Sequence, residues 1–168
     1  MGERSCVIGS DMDWELEIVF AVRAVLAAGL GGFIGWEREW HGREAGIRTY
    51  ASVALGACVF ALISSHIPGA DQSRMAANIV TGVGFLGGGI ILREKGRTLG
   101  LTTAATVWAT AAVGTAIGFG MYLLAVLTAA IIFGVLASHH IPGWRKLSKT
   151  RCEHADTESI PTENEQVQ

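Results

Sequence analysis

The chain has 168 residues, half of them hydrophobic and only 17% charged, with 22 glycines and a mean hydropathy of +0.39. Its formal net charge of −2 averages over unlike segments and carries no nucleic-acid signal, so no nucleic-acid partner is expected. Between Ile18 and Ala137 the acidic residues are Glu37, Glu39, Glu44, Asp71 and Glu94, none inside an apolar run, which argues against a soluble domain and for a polytopic membrane protein.

Residues 1–17 carry Glu3, Asp11, Asp13, Glu15 and Glu17 against a single Arg4, the reverse of the basic start of a cleavable signal, so residues 1–15 read as an acidic outer tail. Four apolar blocks follow, roughly 16–36, 49–66, 75–92 and 102–137. The last has 36 residues, about 54 Å as one helix against a hydrocarbon core of about 30 Å, so it must fold back. "GFGM" at 118–121 is the natural turn, giving spans near 102–118 and 120–137. The expected fold is all-α, with five transmembrane helices over residues 16–137. Residues 138–168 read as a largely disordered tail, because "CEHADTESIPTENEQVQ" from 152 onward is polar, acidic and nearly free of large apolar residues. Cys6, Cys58 and Cys152 are too scattered for a disulfide framework or a zinc site.

Loop charge sets the orientation. Arg38, Arg43, Arg48, Arg93, Lys95, Arg97, Arg145, Lys146, Lys149 and Arg151 make ten basic residues on one side, against Arg4 and Arg74 on the other. The N-terminus is therefore expected outside and the C-terminus in the cytoplasm. Trp14, Trp36 and Trp40 fall at the interfaces this topology creates.

The chain also echoes itself. A shift of 54 aligns residues 46–63 with 100–117 and gives seven identities in eighteen positions, among them Gly46/Gly100, Thr49/Thr103 and Val53/Val107. Upstream, Gly31–Gly32 falls on Gly87–Gly88, and the charge pair Glu37–Arg38 on Arg93–Glu94. Two helical hairpins of the same sense imply parallel repeats about an axis along the membrane normal, with a fifth helix added. Shared Ala/Gly/Val composition is the plainer source of such an echo.

Several residues stand out as candidates. Gly31/Gly35, Gly84/Gly88 and Gly114/Gly118 have the small-xxx-small spacing that lets helix backbones approach closely, and Gly87 extends the run in the third span. A broken helix at "GFLGGG" exposing backbone to an ion, or contacts between copies in a homo-oligomer, are the alternatives for that run. Arg23 lies within the first span, where a charge either snorkels outward or finds a partner; Asp71, followed by Arg74, is the candidate partner, although "DQSR" also suits a helix cap. Glu37, Arg38, Arg48, Arg93 and Glu94 are placed to form a network joining the two basic turns, or are simply solvated loop charge. Thr49, Thr102 and Thr103 open the returning helices, where a hydroxyl can satisfy free N–H groups.

The linked stretches "GGFIGWEREWHGREAGIRTYASVALGACVFALIS" and "DQSRMAANIVTGVGFLGGGIILREKGRTLGLTTAATVWATAAVG" resemble the MgtC/SapB family of bacterial membrane proteins over about residues 18–137. The motifs run from the Gly-rich end of the first span through Gly-Ile-Arg-Thr and Asp-Gln-Ser-Arg to "GLTTAATVW", whose Trp108 joins the packing or partner-contact candidates. Asn78 stands where relatives typically carry Gln, and from so short a tail the C-terminal domain of some members is not expected here. The resemblance implies an inner-membrane protein tied to magnesium limitation and, in pathogens, to survival inside host cells. It also implies regulation of membrane energetics through the membrane sector of the proton-translocating ATP synthase.

Two functions compete. A magnesium path would call for oxygen ligands at depth, and here Asp71 and Asn78 near the outer end are the candidate ligands, with nothing acidic deeper. A regulator needs a small Gly-lined bundle that packs against another membrane protein, which this sequence supplies. An intramembrane enzyme is the third class; no Ser/His or paired-Asp arrangement lies within the spans, and no cofactor is implied.

Overall fold

The computed structural model describes residues 14–94 and 97–138, with backbone alone for 92–94 and 97. The two tails expected from sequence, 1–15 up to residue 13 and 138–168 from residue 139, lie outside the described residues. Five helices alternate with short connections. They are α1 (Trp14–Trp40), α2 (Ile47–His66), α3 (Gln72–Ile90), α4 (Leu101–Gly118) and α5 (Tyr122–Ala137).

Local chemistry accounts for the ends. α1 has Glu15 and Glu17 in its first turn, complementing the helix dipole there, while its last turn sets Arg38 between Glu37 and Glu39. Its 27 residues span about 40 Å, so the helix runs past the apolar stretch and carries Glu37–Trp40 with it. α2 ends at His66, just ahead of Pro68, which cannot continue a helix. Asp71 is the N-cap of α3. The α4–α5 turn uses Gly120 at φ 79°, a left-handed conformation that favours glycine. It falls within the expected 118–121 turn.

The all-α expectation needs one correction. Between α3 and α4 the chain forms a small antiparallel hairpin, β1 (Leu92–Glu94) and β2 (Arg97–Leu99), with Leu92 opposite Leu99 and Glu94 opposite Arg97. Gly100 then enters α4 at φ 82°, and any Cβ there would overlap the Ile90 carbonyl oxygen.

α1, α2 and α4 pack mutually, while α3 lies against α4 and, less extensively, α2. The fully buried side chains include Ile34, Tyr50, Cys58, Val107, Thr110, Val113 and Ile117. Glycine sets the spacing. A Cβ on Gly31 would come within 2.5 Å of the Tyr50 carbonyl oxygen, and one on Gly35 within 2.7 Å of Ile47 Cα. From the other side, a Cβ on Gly118 would lie 2.5 Å from Ala61 Cβ, and one on Gly114 would overlap the Ala54 carbonyl. α2 is thus pressed by glycine faces from both α1 and α4. α1, α2 and α4 are each long and apolar enough to cross a membrane. α3 carries Gln72, Ser73, Arg74 and Asn78 in its first turns, and α5 is shorter at 16 residues.

Candidate functional site

The densest polar cluster sits where the last turn of α1 meets the first turns of α2 and α4. Glu37 and Arg38 come from α1, His41 from the following loop, Tyr50 from α2, and Thr103 and Thr106 from α4. Glu37 is 7% exposed, Arg38 5%, and Tyr50 0%. His41 Nδ1 lies 3.0 Å from Glu37 Oε1 and 2.7 Å from the Glu37 carbonyl oxygen, so Nδ1 carries the proton and donates. Arg38 Nη2 donates to Thr103 Oγ1 at 3.4 Å, tying α1 to α4. Thr106 and Thr110 donate to carbonyls one turn back on α4, at 2.6 and 2.9 Å.

Glu37 Oε2 and Arg38 Nε are buried without a hydrogen-bond partner among the described residues. The Tyr50 hydroxyl lies in the field of both Arg38 and Glu37. Adjacent opposite charges neutralise one another locally, and burying either alone would cost several kcal/mol. The cluster can lock three helix ends together, with the His41 ring seated against the Glu37 carboxylate and carbonyl. Among the described residues no group of three or more His, Cys, Asp or Glu could hold a metal ion.

Other sequence candidates near this end separate. Arg48 is exposed, and the side chains of Arg93 and Glu94 lie outside the described residues, so the cluster reaches α4 through Thr103 instead. Thr102 and Thr103 do not cap α4. Gly100 occupies the cap, with no side-chain bond, because its left-handed backbone makes the entry. Thr49 likewise does not cap α2; Glu39 Oε2 accepts from Ile47 N–H at 3.0 Å. A Cβ on Gly46 would come within 2.6 Å of that carboxylate oxygen.

At the opposite end, Arg23 and Asp71 are not brought together. Arg23 Nη1 donates to the Gly118 carbonyl oxygen at 3.2 Å, and its guanidinium lies 5.5 Å from the centre of the Tyr122 ring. A cation there suits the negative C-terminal end of α4. Asp71 Oδ1 accepts from Ser73 Oγ at 2.7 Å, Ser73 N–H at 2.9 Å and Arg74 N–H at 3.2 Å. The Ser73 hydroxyl and the Arg74 N–H hold its carboxyl below the ordinary range. Asp71 Oδ1 is thus committed to capping α3, and the Arg23 guanidinium is engaged at the end of α4 instead. Arg74 is exposed in the first turn of α3.

The glycine candidates divide by helix. Gly31 and Gly35 face α2 closely. A Cβ on Gly84 or Gly88 of α3 would have nothing within 4 Å, and one on Gly87 would meet only Ala104, at 3.8 Å. α3 is continuous through "GFLGGG", so no broken helix exposes backbone there. Beside this helix an apolar groove of about 470 Å³ runs between α2 and α3, lined by Ser52, Gly56, Phe60, Asn78, Gly82 and Leu86 among others. Trp108 is half-exposed and borders a smaller recess with Val80 and Leu124. Sequence reasoning missed His41 and Tyr50. The i,i+4 spacing of Glu37 and His41 was the available signal for the first, and nothing local marked the second.

Long apolar helices with their charges at the ends, close glycine contacts and exposed apolar faces define an integral membrane helical bundle. The MgtC family profile matches residues 24–141, and the chain belongs to the MgtC family, making it a bacterial membrane protein. It is 41% identical over 140 residues to YhiD of Escherichia coli (strain K12), a candidate magnesium transporter by name, covering 77% of this chain and 65% of YhiD. It is 47% identical over 109 residues to protein MgtC of Brucella abortus (strain 2308), covering 64% of this chain and 46% of that protein. With protein MgtC of Salmonella typhimurium (strain 14028s) the identity is 48% over 103 residues, covering 61% and 45%. The chain thus spans between about half and two thirds of these relatives' lengths. No solved structure matches it.

Proposed function

We propose that this MgtC-family protein is a magnesium-linked regulator that acts by packing against another integral membrane protein. The partner suggested by the family resemblance is the membrane sector of the ATP synthase, and no enzymatic step is assigned to the chain. The carrying observation is the direction in which the glycines face. Gly31, Gly35, Gly114 and Gly118 are spent inside the bundle, where they close α1, α2 and α4 onto one another. Gly82, Gly84, Gly88 and Gly89 of α3 meet nothing, and Gly82 lines the open groove against α2. A smooth helix face next to an apolar groove suits a foreign transmembrane helix, because association in lipid depends on close packing.

The topology goes with this reading. Five spans are proposed, with the N-terminus outside and the C-terminus cytoplasmic. α3 at 19 residues is about 28 Å long, near the hydrocarbon thickness, and the shorter α5 is about 24 Å. The hairpin repeat is kept as a proposal on one observation: Gly46 and Gly100 hold the same N-cap position of α2 and α4.

The second reading is magnesium transport, favoured by the name of YhiD. Against it, the Asp71 carboxylate caps α3, and Thr106 and Thr110 bond to their own helix. Magnesium prefers carboxylates and amides that keep its remaining waters in place. The test is cysteine cross-linking from Gly82 and Ser52 in membranes, with proton-driven ATP synthesis measured in parallel. Cross-links to a membrane-sector subunit, together with synthesis that changes when the groove is filled by Gly82→Leu, are expected. Unchanged synthesis in both would overturn the regulator reading.

A further inference from the structure

A second groove, separate from the one beside α3, has a different chemistry. It opens between the start of α1 and the end of α2 and encloses about 420 Å³. This is within the range of small-ligand sites, about 300–1,000 Å³. Its lining is apolar, with Ala24, Val59 and Leu62 among others, apart from Glu17 near the start of α1 and His66 at the end of α2. The polarity is graded along both walls. On α1, Trp14, Glu17, Ala21 and Ala24 follow the i,i+3,i+7 spacing of one helix face, so an indole leads to a carboxylate and then to small apolar residues. On α2, His66 lies one turn from Leu62 and two from Val59.

Trp14 is 70% exposed, and indoles prefer the depth of lipid headgroups, which places the Glu17 and His66 end of the groove there. The His66 ring is held edge-on by Phe20, with centroids 5.7 Å apart. Neither the Glu17 carboxylate nor the His66 ring has a side-chain hydrogen bond or ion pair among the described residues. Dipole complementarity explains an acid at the start of α1 and a histidine at the end of α2. It does not require the two to line one apolar groove.

We propose that this groove is a binding site for one phospholipid with a primary-amine headgroup. One acyl chain lies along Ala21, Ala24 and Val59, the ammonium donates to Glu17, and the phosphate accepts from His66. The carboxylate selects the headgroup. It repels a net-anionic lipid, and it accepts an N–H that a quaternary ammonium lacks, so the bond that distinguishes the amine is charge-assisted.

The experiment is native mass spectrometry of the full chain purified in detergent and titrated with phosphatidylethanolamine, phosphatidylcholine and phosphatidylglycerol of identical acyl chains. One phosphatidylethanolamine per chain should be retained about tenfold or more in preference to the other two. Glu17→Gln should bring it down to the level of phosphatidylcholine, Glu17→Asp should restore part of the preference, and Ala21→Trp should reduce retention of all three. Circular dichroism of each variant establishes that it is folded. Equal retention of the three lipids, a preference for phosphatidylglycerol, or a preference unchanged in folded Glu17→Gln would each overturn the site.

Discussion

Alanine at Gly114 and alanine at Gly84 should have opposite effects, although both replace a glycine in a membrane helix with the same methyl group. At Gly114 the new Cβ would overlap the Ala54 carbonyl and lie 2.8 and 2.9 Å from its carbonyl carbon and Cα. These are backbone atoms of α2, so no side chain can rotate away and the helices must part. Overpacking of this kind costs about 1–3 kcal/mol, with the upper end expected where the obstacle is backbone. At Gly84 nothing lies within 4 Å, so the methyl enters open space and the helix gains about 1 kcal/mol of intrinsic propensity. The two variants should therefore differ by about 2–4 kcal/mol. Unfolding by SDS titration in mixed micelles, followed by helical circular dichroism, measures that gap. Equal losses, or a larger loss for Gly84→Ala, would refute the assignment of inward and outward glycine faces. Under the proposed function Gly84→Ala has a second signature: a folded protein with weakened effect on its partner.

Three further outcomes follow from the charged groups. Arg38→Met should destabilise the bundle by about 3–5 kcal/mol, and Glu37→Leu/Arg38→Met by less than the sum of the single changes, read in the same titration, because an uncompensated buried charge is the costly state. The Asp71 carboxyl is depressed by the Ser73 hydroxyl and the Arg74 N–H, so its stabilisation is fully present above the ordinary carboxylate pKa and lost as pH falls through the depressed value. The melting difference between the native chain and Asp71→Ala should accordingly shrink on acidification from about pH 6 to pH 3 and stay flat above it. Arg23→Ala and Asp71→Ala should add in the double variant, since one partner is Gly118 and the other the start of α3; recovery in the double variant would restore the latch.

Much of the helix pattern was open to sequence reasoning because lipid imposes a simple code. Apolar runs bounded by charge mark the helices, and Gly118–Met121 breaks the longest run because a single helix of that length could not fit. The Asp71 cap follows from Asp-Gln-Ser-Arg leading into an apolar stretch. What could not be read was direction. Gly31 and Gly84 sit in similar small-xxx-small patterns, yet one touches a neighbouring backbone and the other meets nothing, because tertiary packing decides which face turns inward. The partner of Arg23 is a backbone carbonyl 95 residues away, and no side chain advertises it. The buried cluster was half legible: Glu37 and Arg38 were in view, while Tyr50 and Thr103 join them only because α2 and α4 bring their first turns to the end of α1.

The measurement that bears most directly on a regulatory rather than a transporting bundle is magnesium entry into sealed vesicles containing this chain alone, followed with an entrapped magnesium-sensitive dye. With α1, α2 and α4 closed by backbone-to-glycine contacts, entry should match protein-free vesicles at every external magnesium concentration and membrane potential. A saturable magnesium influx that scales with the amount of reconstituted protein would contradict the account.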